Sequence, residues 1–285
     1  MQKRKIPGLQ LGIVQNGKIV KTANYGFANV QDSIPVSDKT VFPINSITKA
    51  FAGVAIMQLV EAGKLKLSSP VSAYLSDLPK AWNNVTVLQL LSHTSGIPDI
   101  IDEESMIIGA DEEDAWKKVI ALPIDFPAGE KFRYNQTNYL LLGRIIDTLS
   151  GMPFTEFIIK EQLLKAGMAK TISAGFGAAK QVIPHAAGGY RYSQGKLINM
   201  FFSMPPSLQT AAGMSSTARE ISNWIIALQN NQLVKERSRL DLLFTPAKLN
   251  DGKIGGFSDL LNGYAVGWPV VARSEEHTSE LQSPI

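Results

Sequence analysis

From residue 46 the chain reads Ser-Ile-Thr-Lys-Ala-Phe-Ala-Gly-Val-Ala-Ile-Met-Gln-Leu-Val-Glu-Ala, and then Gly63. Positions 50 to 57 carry no polar face at helical spacing, so a helix over this stretch is apolar all round. Such a helix cannot lie on a surface. Other elements must surround it, which requires a chain long enough to wrap a central rod; 285 residues, 45% of them hydrophobic, are enough. Gly63 stands where a left-handed residue would end the helix. With charged residues at 19%, the composition excludes a disordered chain, and no run of about 18 apolar residues offers a membrane span.

The flanking sequence supplies the wrapping. Gly8–Gln15 and residues 18–23 are β-rich runs joined by Asn16-Gly17, a strong hairpin signal. Val41 and Phe42 end the approach to the central helix. Thr86-x-x-Gln89 opens a short helix as a capping box. Leu141, Ile145 and Leu149 share a stripe on a helix predicted over 138–150, closed by Gly151. Pro153 starts a helix over 154–164, residues 188–200 read as irregular chain or a small hairpin, and 216–229 as a further helix. Strands, then many helices, then strands imply an α+β fold. We expect one domain over 1–272, with a sheet lobe from about 6–45 and 206–272 and an inserted helical lobe from about 46–205.

Ser46 and Lys49 form a Ser-x-x-Lys at the start of the apolar helix. Residues i and i+3 share a helix face, so the amine can reach the hydroxyl. A serine hydroxyl is a weak nucleophile until a neighbouring base takes its proton, and a lysine in apolar surroundings has its pKa lowered towards the working range. The field at a helix N-terminus favours an anion developing near Ser46. The bland alternative is an N-cap serine above a core lysine. Ser193-Gln194-Gly195-Lys196 satisfies the same pattern, but it contains Gly and opens no helix. Context separates the two copies.

A second element reads Phe132-Arg133-Tyr134-Asn135-Gln136-Thr137-Asn138-Tyr139-Leu140-Leu141-Leu142-Gly143, after a Pro127-Ala128-Gly129-Glu130 turn. Here the chain resembles the serine β-lactamase and penicillin-binding protein superfamily, in the branch of class C β-lactamases, DD-peptidases and related esterases. Tyr134 matches the tyrosine of the family's Tyr-x-Asn, a proton shuttle between nucleophile and leaving group; otherwise it would be a core tyrosine. The resemblance covers nearly the whole body. Ile6-Pro7-Gly8 with Asn16-Gly17-Lys18 looks like the first hairpin, and Leu91-Ser92-His93-Thr94-Ser95-Gly96-Ile97 like the family's His-Thr-Ser-Gly segment. Further on, Gly167-Met168, Gly213-Met214-Ser215-Ser216-Thr217 and Gly263-Tyr264-Ala265-Val266-Gly267-Trp268 match in order. His93 invites a Ser-His-Asp reading, but the resemblance makes its segment structural. The implied fold is β-lactamase/transpeptidase-like, an antiparallel sheet flanked by helices plus a mainly helical lobe.

The chain departs from the pattern in two places. Gln136 replaces the family's Asn and is one methylene longer, and a shift of about an ångström at a positioning residue can cost on the order of 100-fold. That lowers the weight of β-lactam hydrolysis against a less demanding ester or peptide. The family's third motif, Lys-Thr-Gly or His-x-Gly, is expected after Trp268, and the next residues do not supply it. Its strand donates one oxyanion-hole N–H, and losing such a donor costs about 100- to 1000-fold. Residues 273–285 begin Arg-Ser-Glu-Glu-His-Thr-Ser-Glu-Leu-Gln-Ser and match one translated frame of a sequencing-library adapter. We therefore expect the natural closing strands and helix to be missing, and exclude this tail from the site.

The predicted product is thus a serine hydrolase forming an acyl-enzyme on Ser46, with Lys49 and Tyr134 as base, acting on an ester, peptide or β-lactam carbonyl. Gln136 positions substrate, and Asn135 is a weaker candidate. The rival readings are a non-catalytic penicillin-binding-protein-like peptide sensor and an inactive truncated product. The chain has no cysteine, and His93, His185 and His277 show no metal-ligand spacing, so no metal or organic cofactor is implied. A net charge of +3, with Lys3-Arg4-Lys5 the one basic cluster, predicts no nucleic-acid partner. The expected partner is a small-molecule or peptide substrate. Met1–Lys5 form no signal peptide, so the chain is cytoplasmic or, as the resemblance implies if a leader is lost, periplasmic or secreted.

Overall fold

A computed structural model describes residues 1–101, 107–177, 182–200 and 204–271. The apolar stretch is its axis. Helix α1 (Thr48–Glu61) buries every residue from Thr48 to Met57, and Leu59 as well. It ends as expected at Gly63, whose φ is +69°. Three more helices follow in sequence: α2 (Val87–Leu91), α3 (Glu112–Ala121) and α4 (Gln136–Ser150). The α2 start is the capping box read from the sequence, with Thr86 and Gln89 exchanging side-chain and backbone bonds. Helix α4 packs on α1, on α2 and on the short helix Gln209–Ala212. It begins two residues earlier than the apolar stripe suggested, because the Asn135 side chain accepts from the Asn138 N–H and caps it.

Strands β1 (Gly8–Gln15), β2 (Lys18–Asn29) and β3 (Ile34–Pro35) form an antiparallel sheet in that order. Asn16 and Gly17 both adopt positive φ, 51° and 68°, as a two-residue hairpin turn requires. The helix Ala218–Gln229 packs on β1 and β2. Its Trp224 stacks on Phe51 of α1, ring centroids 4.1 Å apart. Trp224 Nε1 donates to Gln162 Oε1, and Gln162 Nε2 donates to the Phe51 carbonyl, so the buried polar atoms at this junction are paired. Sheet and central helix are thereby clamped through one aromatic pair and one amide.

The fold is mixed α+β with small antiparallel sheets, as expected. One local detail differs. The helix predicted over 154–164 is a short α-helix, Phe154–Ile158, followed by a π-helical turn, Ile159–Leu163. Residues 188–200 form the small hairpin that was one of the two readings, Gly189–Ser193 with Lys196–Met200. Residues 206–271 contribute the short helix Gln209–Ala212, the helix Ala218–Gln229 on β1 and β2, and the helix Arg237–Leu242. Their strands are two-residue pairs, Ser215–Ser216 with Phe42–Pro43 and Gly263–Tyr264 with Pro269–Val270. The tail over 273–285, with His277, lies outside the described residues. No helix among the described residues is long and apolar enough to cross a membrane.

Candidate active site

A 3₁₀ turn, Asn45–Ile47, delivers the chain into α1. Asn45 takes φ +44°, a left-handed setting that Asn tolerates better than other side chains with a Cβ. Thr48 fixes the turn, donating from Oγ1 to the Asn45 carbonyl at 2.6 Å and accepting from the Met214 N–H at 3.2 Å. The N-cap of α1 is Ile47, with no side-chain cap bond, so Ser46 is not a capping serine. Ser46 is an exposed residue. Its hydroxyl accepts from Lys49 Nζ at 3.3 Å.

Lys49 is fully buried. Its Nζ also donates to Gln136 Oε1 at 2.8 Å and to the Ala211 carbonyl at 2.9 Å. The rings of Tyr134 and Tyr139 lie 4.8 and 5.2 Å from it. Among the described residues no carboxylate bonds to this amine. Burial lowers its pKa from 10.5 to about 7, and the charge of Asp99 opposes that fall. Gly267, at φ +86°, lets the 264–268 segment cross α1: a Cβ there would lie 2.5 Å from the Lys49 carbonyl oxygen.

The Tyr134 side chain lies beside those of Ser46 and Gln136, whose influence only partly opposes the burial that holds its hydroxyl above the ordinary phenol range. It is therefore a neutral donor at physiological pH. Under its ring lies His93, centroids 4.4 Å apart, fully buried at φ +59°. His93 Nδ1 accepts from the Asn135 N–H at 3.1 Å, which puts the imidazole proton on Nε2. Burial first, and then the Lys49 charge, push the His93 pKa well below 6.5. His93 is thus a neutral buttress beneath the Tyr134-Asn135-Gln136 tripeptide, in accord with the structural reading, and no bond joins it to Ser46.

Of the five predicted site residues, the fold brings Ser46, Lys49, Tyr134 and Gln136 together and turns Asn135 away. Asn135 is 2% exposed, with Oδ1 spent on the Asn138 N–H and Nδ2 on the Ile97 carbonyl at 2.6 Å. It serves as a cap and leaves no polar atom for substrate. Two participants escaped the sequence reading. Asp99 Oδ1 accepts from the Gln136 N–H at 2.9 Å, and burial raises its pKa. The signal was present, since Asp99 ends the run from His93 through Pro98. Phe257 had no such signal. It comes from a loop of glycines and serines and lies over Tyr134 at 5.1 Å between centroids.

A cavity of about 360 Å³ opens onto Ser46. Tyr134, Phe257 and Tyr264 line it together with Ile47 and Trp268. An exposed serine above a buried amine that has lost part of its affinity for protons, with a neutral phenol beside both, can deliver a nucleophile and return a proton.

The family model described as Beta-lactamase matches residues 1–280. Protein flp of Staphylococcus aureus (strain N315) is 29% identical over 283 residues, covering 97% of this chain and 55% of the relative. The putative penicillin-binding protein PbpX of Bacillus subtilis (strain 168) is 32% identical over 234 residues, covering 82% and 58%. The chain spans about half the length of these curated relatives. Among solved structures, a penicillin-binding protein from Bacillus halodurans superposes with TM-score 0.72 at 30% identity, covering 90% of this chain and 78% of that one. The octameric penicillin-binding protein homologue from Pyrococcus abyssi gives 0.75 at 26%, covering 94% and 61%.

Proposed function

The chain belongs to the β-lactamase family, and from that premise we propose that it is a serine hydrolase in which Ser46 is the nucleophile, Lys49 its base and Tyr134 the proton carrier to the leaving group. Family membership supports hydrolysis at a serine in general terms. The assignment of roles rests on one observation: Lys49 Nζ donates to Ser46 Oγ, and Tyr134 stands beside this pair at the floor of an open cavity.

In this reading, neutral Lys49 takes the proton of Ser46 as Oγ adds to a carbonyl carbon. The backbone N–H of Ser46, in the 3₁₀ turn that leads into α1, is the donor this chain offers to the developing oxyanion. Gln136 Oε1 and the Ala211 carbonyl hold the ammonium that forms, so the charge needs no carboxylate partner. As the carbon–leaving-group bond breaks, the Tyr134 hydroxyl gives its proton to the departing atom and is reprotonated from Lys49. Water then attacks the acyl-enzyme by the same route. The substrate is an ester or amide carbonyl.

Labelling with a fluorophosphonate and locating the adduct by mass spectrometry tests the assignment. The expected adduct is on Ser46 and disappears in Ser46→Ala, while Ser193→Ala labels normally. A protein that binds peptides without chemistry would leave Ser46 unmodified.

A further inference from the structure

The walls of the Ser46 cavity say which substrates suit it. Phe257 is 49% exposed, yet its ring has three neighbours: Phe132 at 5.2 Å, Tyr134 at 5.1 Å and Tyr264 at 6.0 Å between centroids. The loop that carries it is built. Phe257 and Ser258 donate their N–H groups to the Leu261 carbonyl at 2.8 and 3.3 Å, and the Leu261 N–H donates to Ser258 Oγ at 3.1 Å. Gly255 lies so close to Phe132 that a Cβ would meet its side chain at 2.5 Å. Ile47, 53% exposed, stands directly beside Ser46. Two exposed apolar side chains therefore flank one exposed serine, where water would otherwise favour polar groups.

Charge is the second observation. Among the described residues lining the cavity none is ionisable except the tyrosines, whose hydroxyls burial keeps neutral. The Lys49 amine lies below the floor with its donors already engaged by Ser46, Gln136 and Ala211. A carboxylate entering the cavity would lose water without gaining a partner on these walls.

We infer that the cavity selects carbonyl substrates whose acyl group is uncharged and apolar, with Phe257 as the specificity-determining wall. The inference rests on the hydrolase reading and narrows it to neutral acyl esters or amides. In the step concerned, Ser46 Oγ bonds to the acyl carbon of an aryl ester while the carbon–aryloxide bond breaks. The Ser46 proton passes by Lys49 and Tyr134 to the departing phenoxide, and the apolar chain lies against Phe257. Water then releases the carboxylic acid.

The experiment compares p-nitrophenyl acetate, butyrate and mono-succinate on the full chain, which share a leaving group and differ in length and charge. Parallel fluorophosphonate labelling of Ser46 accompanies it. Butyrate is expected to exceed the mono-succinate at least about tenfold in kcat/KM, in line with the discrimination an apolar pocket gives per buried group. Phe257→Ala should cut the butyrate value about tenfold while changing acetate less than about threefold, and Phe257→Leu should recover part of the loss. Equal rates for butyrate and mono-succinate, or equal losses on acetate and butyrate in Phe257→Ala, overturn the inference while labelled Ser46 leaves the hydrolase reading standing. No labelling and no turnover of any ester overturn both.

Discussion

The chain writes Ser-x-x-Lys twice, and the two copies fold into opposite things. Ser193 and Lys196 face each other across a hairpin whose central residues, Gln194 and Gly195, take φ +48° and +81°. Two successive positive φ values make the tightest reversal of a chain, so the four residues are a turn and Lys196 projects into solvent. Ser46 and Lys49 lie along a helical path instead, one turn apart, with the amine sealed under the hydroxyl. Burial brings the sealed amine to about 7, where it can act as a base. The motif is therefore a statement about chemistry only where backbone and burial make it one.

The largest effect that could break this contrast is removal of the amine. Lys49→Met keeps the apolar stem and should lower the rate of Ser46 phosphonylation by about 100- to 10,000-fold, the range for loss of a positioned base. Lys196→Met should leave it within about twofold. Equal losses in the two variants would erase the distinction, and so would equal indifference.

Gln136 sharpens the same contrast, because it gives Lys49 an amide acceptor. At 2.8 Å the longer side chain already reaches the amine. Gln136→Asn, which restores the family's residue, would withdraw the oxygen by about one methylene. We expect it to lower ester turnover about 10- to 100-fold. A gain in turnover would show that the extra methylene is a handicap, and that the Lys49 contact is incidental.

These residues also mark where the sequence was legible and where it was not. Helix α1 was legible because its all-apolar run admits one environment. The first hairpin was legible because Asn16-Gly17 allows few other conformations, and the site serine and lysine because helical spacing fixes their separation. Asn135 was misplaced as a substrate contact because a capping asparagine and a ligand-binding asparagine look alike until the start of α4 is known. Residues 206–272 were placed in the sheet lobe, with the motif around Tyr264 and Trp268 read as a strand. That motif is a short crossing over α1, and the glycines that permit it, Gly53 and Gly267, signal close approach without naming the partner. Phe257 was invisible because its contacts come from loop closure, and no periodicity encodes a loop.

Acidity separates the two lysines in solution. If neutral Lys49 is the base, the rate of Ser46 phosphonylation rises with pH, reaches half its plateau near 7, and falls about tenfold for each pH unit below. Stability follows the same proton. The unfolded chain holds it up to about 10.5 and the fold releases it at about 7, so between these values the unfolded state binds more protons and stability increases with pH. Below about 7 both states are charged and the fold carries the full penalty, about 5 kcal/mol at most. Denaturant midpoints of the natural chain should therefore rise relative to those of Lys49→Met between pH 7 and 10. Those of Lys196→Met should track the natural chain throughout.

The smallest effect concerns Asp99, which acts on Lys49 from the far side of Gln136. Its carboxylate accepts from the Gln136 N–H, so it holds in place the residue that holds the amine. Its charge also raises the affinity of Lys49 for protons. The groups facing Lys49 are Ser46, Tyr134, Tyr139, Gln136 and the Ala211 carbonyl, with His93 and Asp99 acting through space. Among these described groups Asp99 is the one anion. Asp99→Asn keeps an oxygen in place for the Gln136 N–H and removes the charge. The acid limb of the rate profile should move to lower pH, while the plateau changes only a few-fold. A merely structural Asp99 would lower the plateau and leave the limb where it was. A limb displaced upward would mean that the field at Lys49 has been read with the wrong sign.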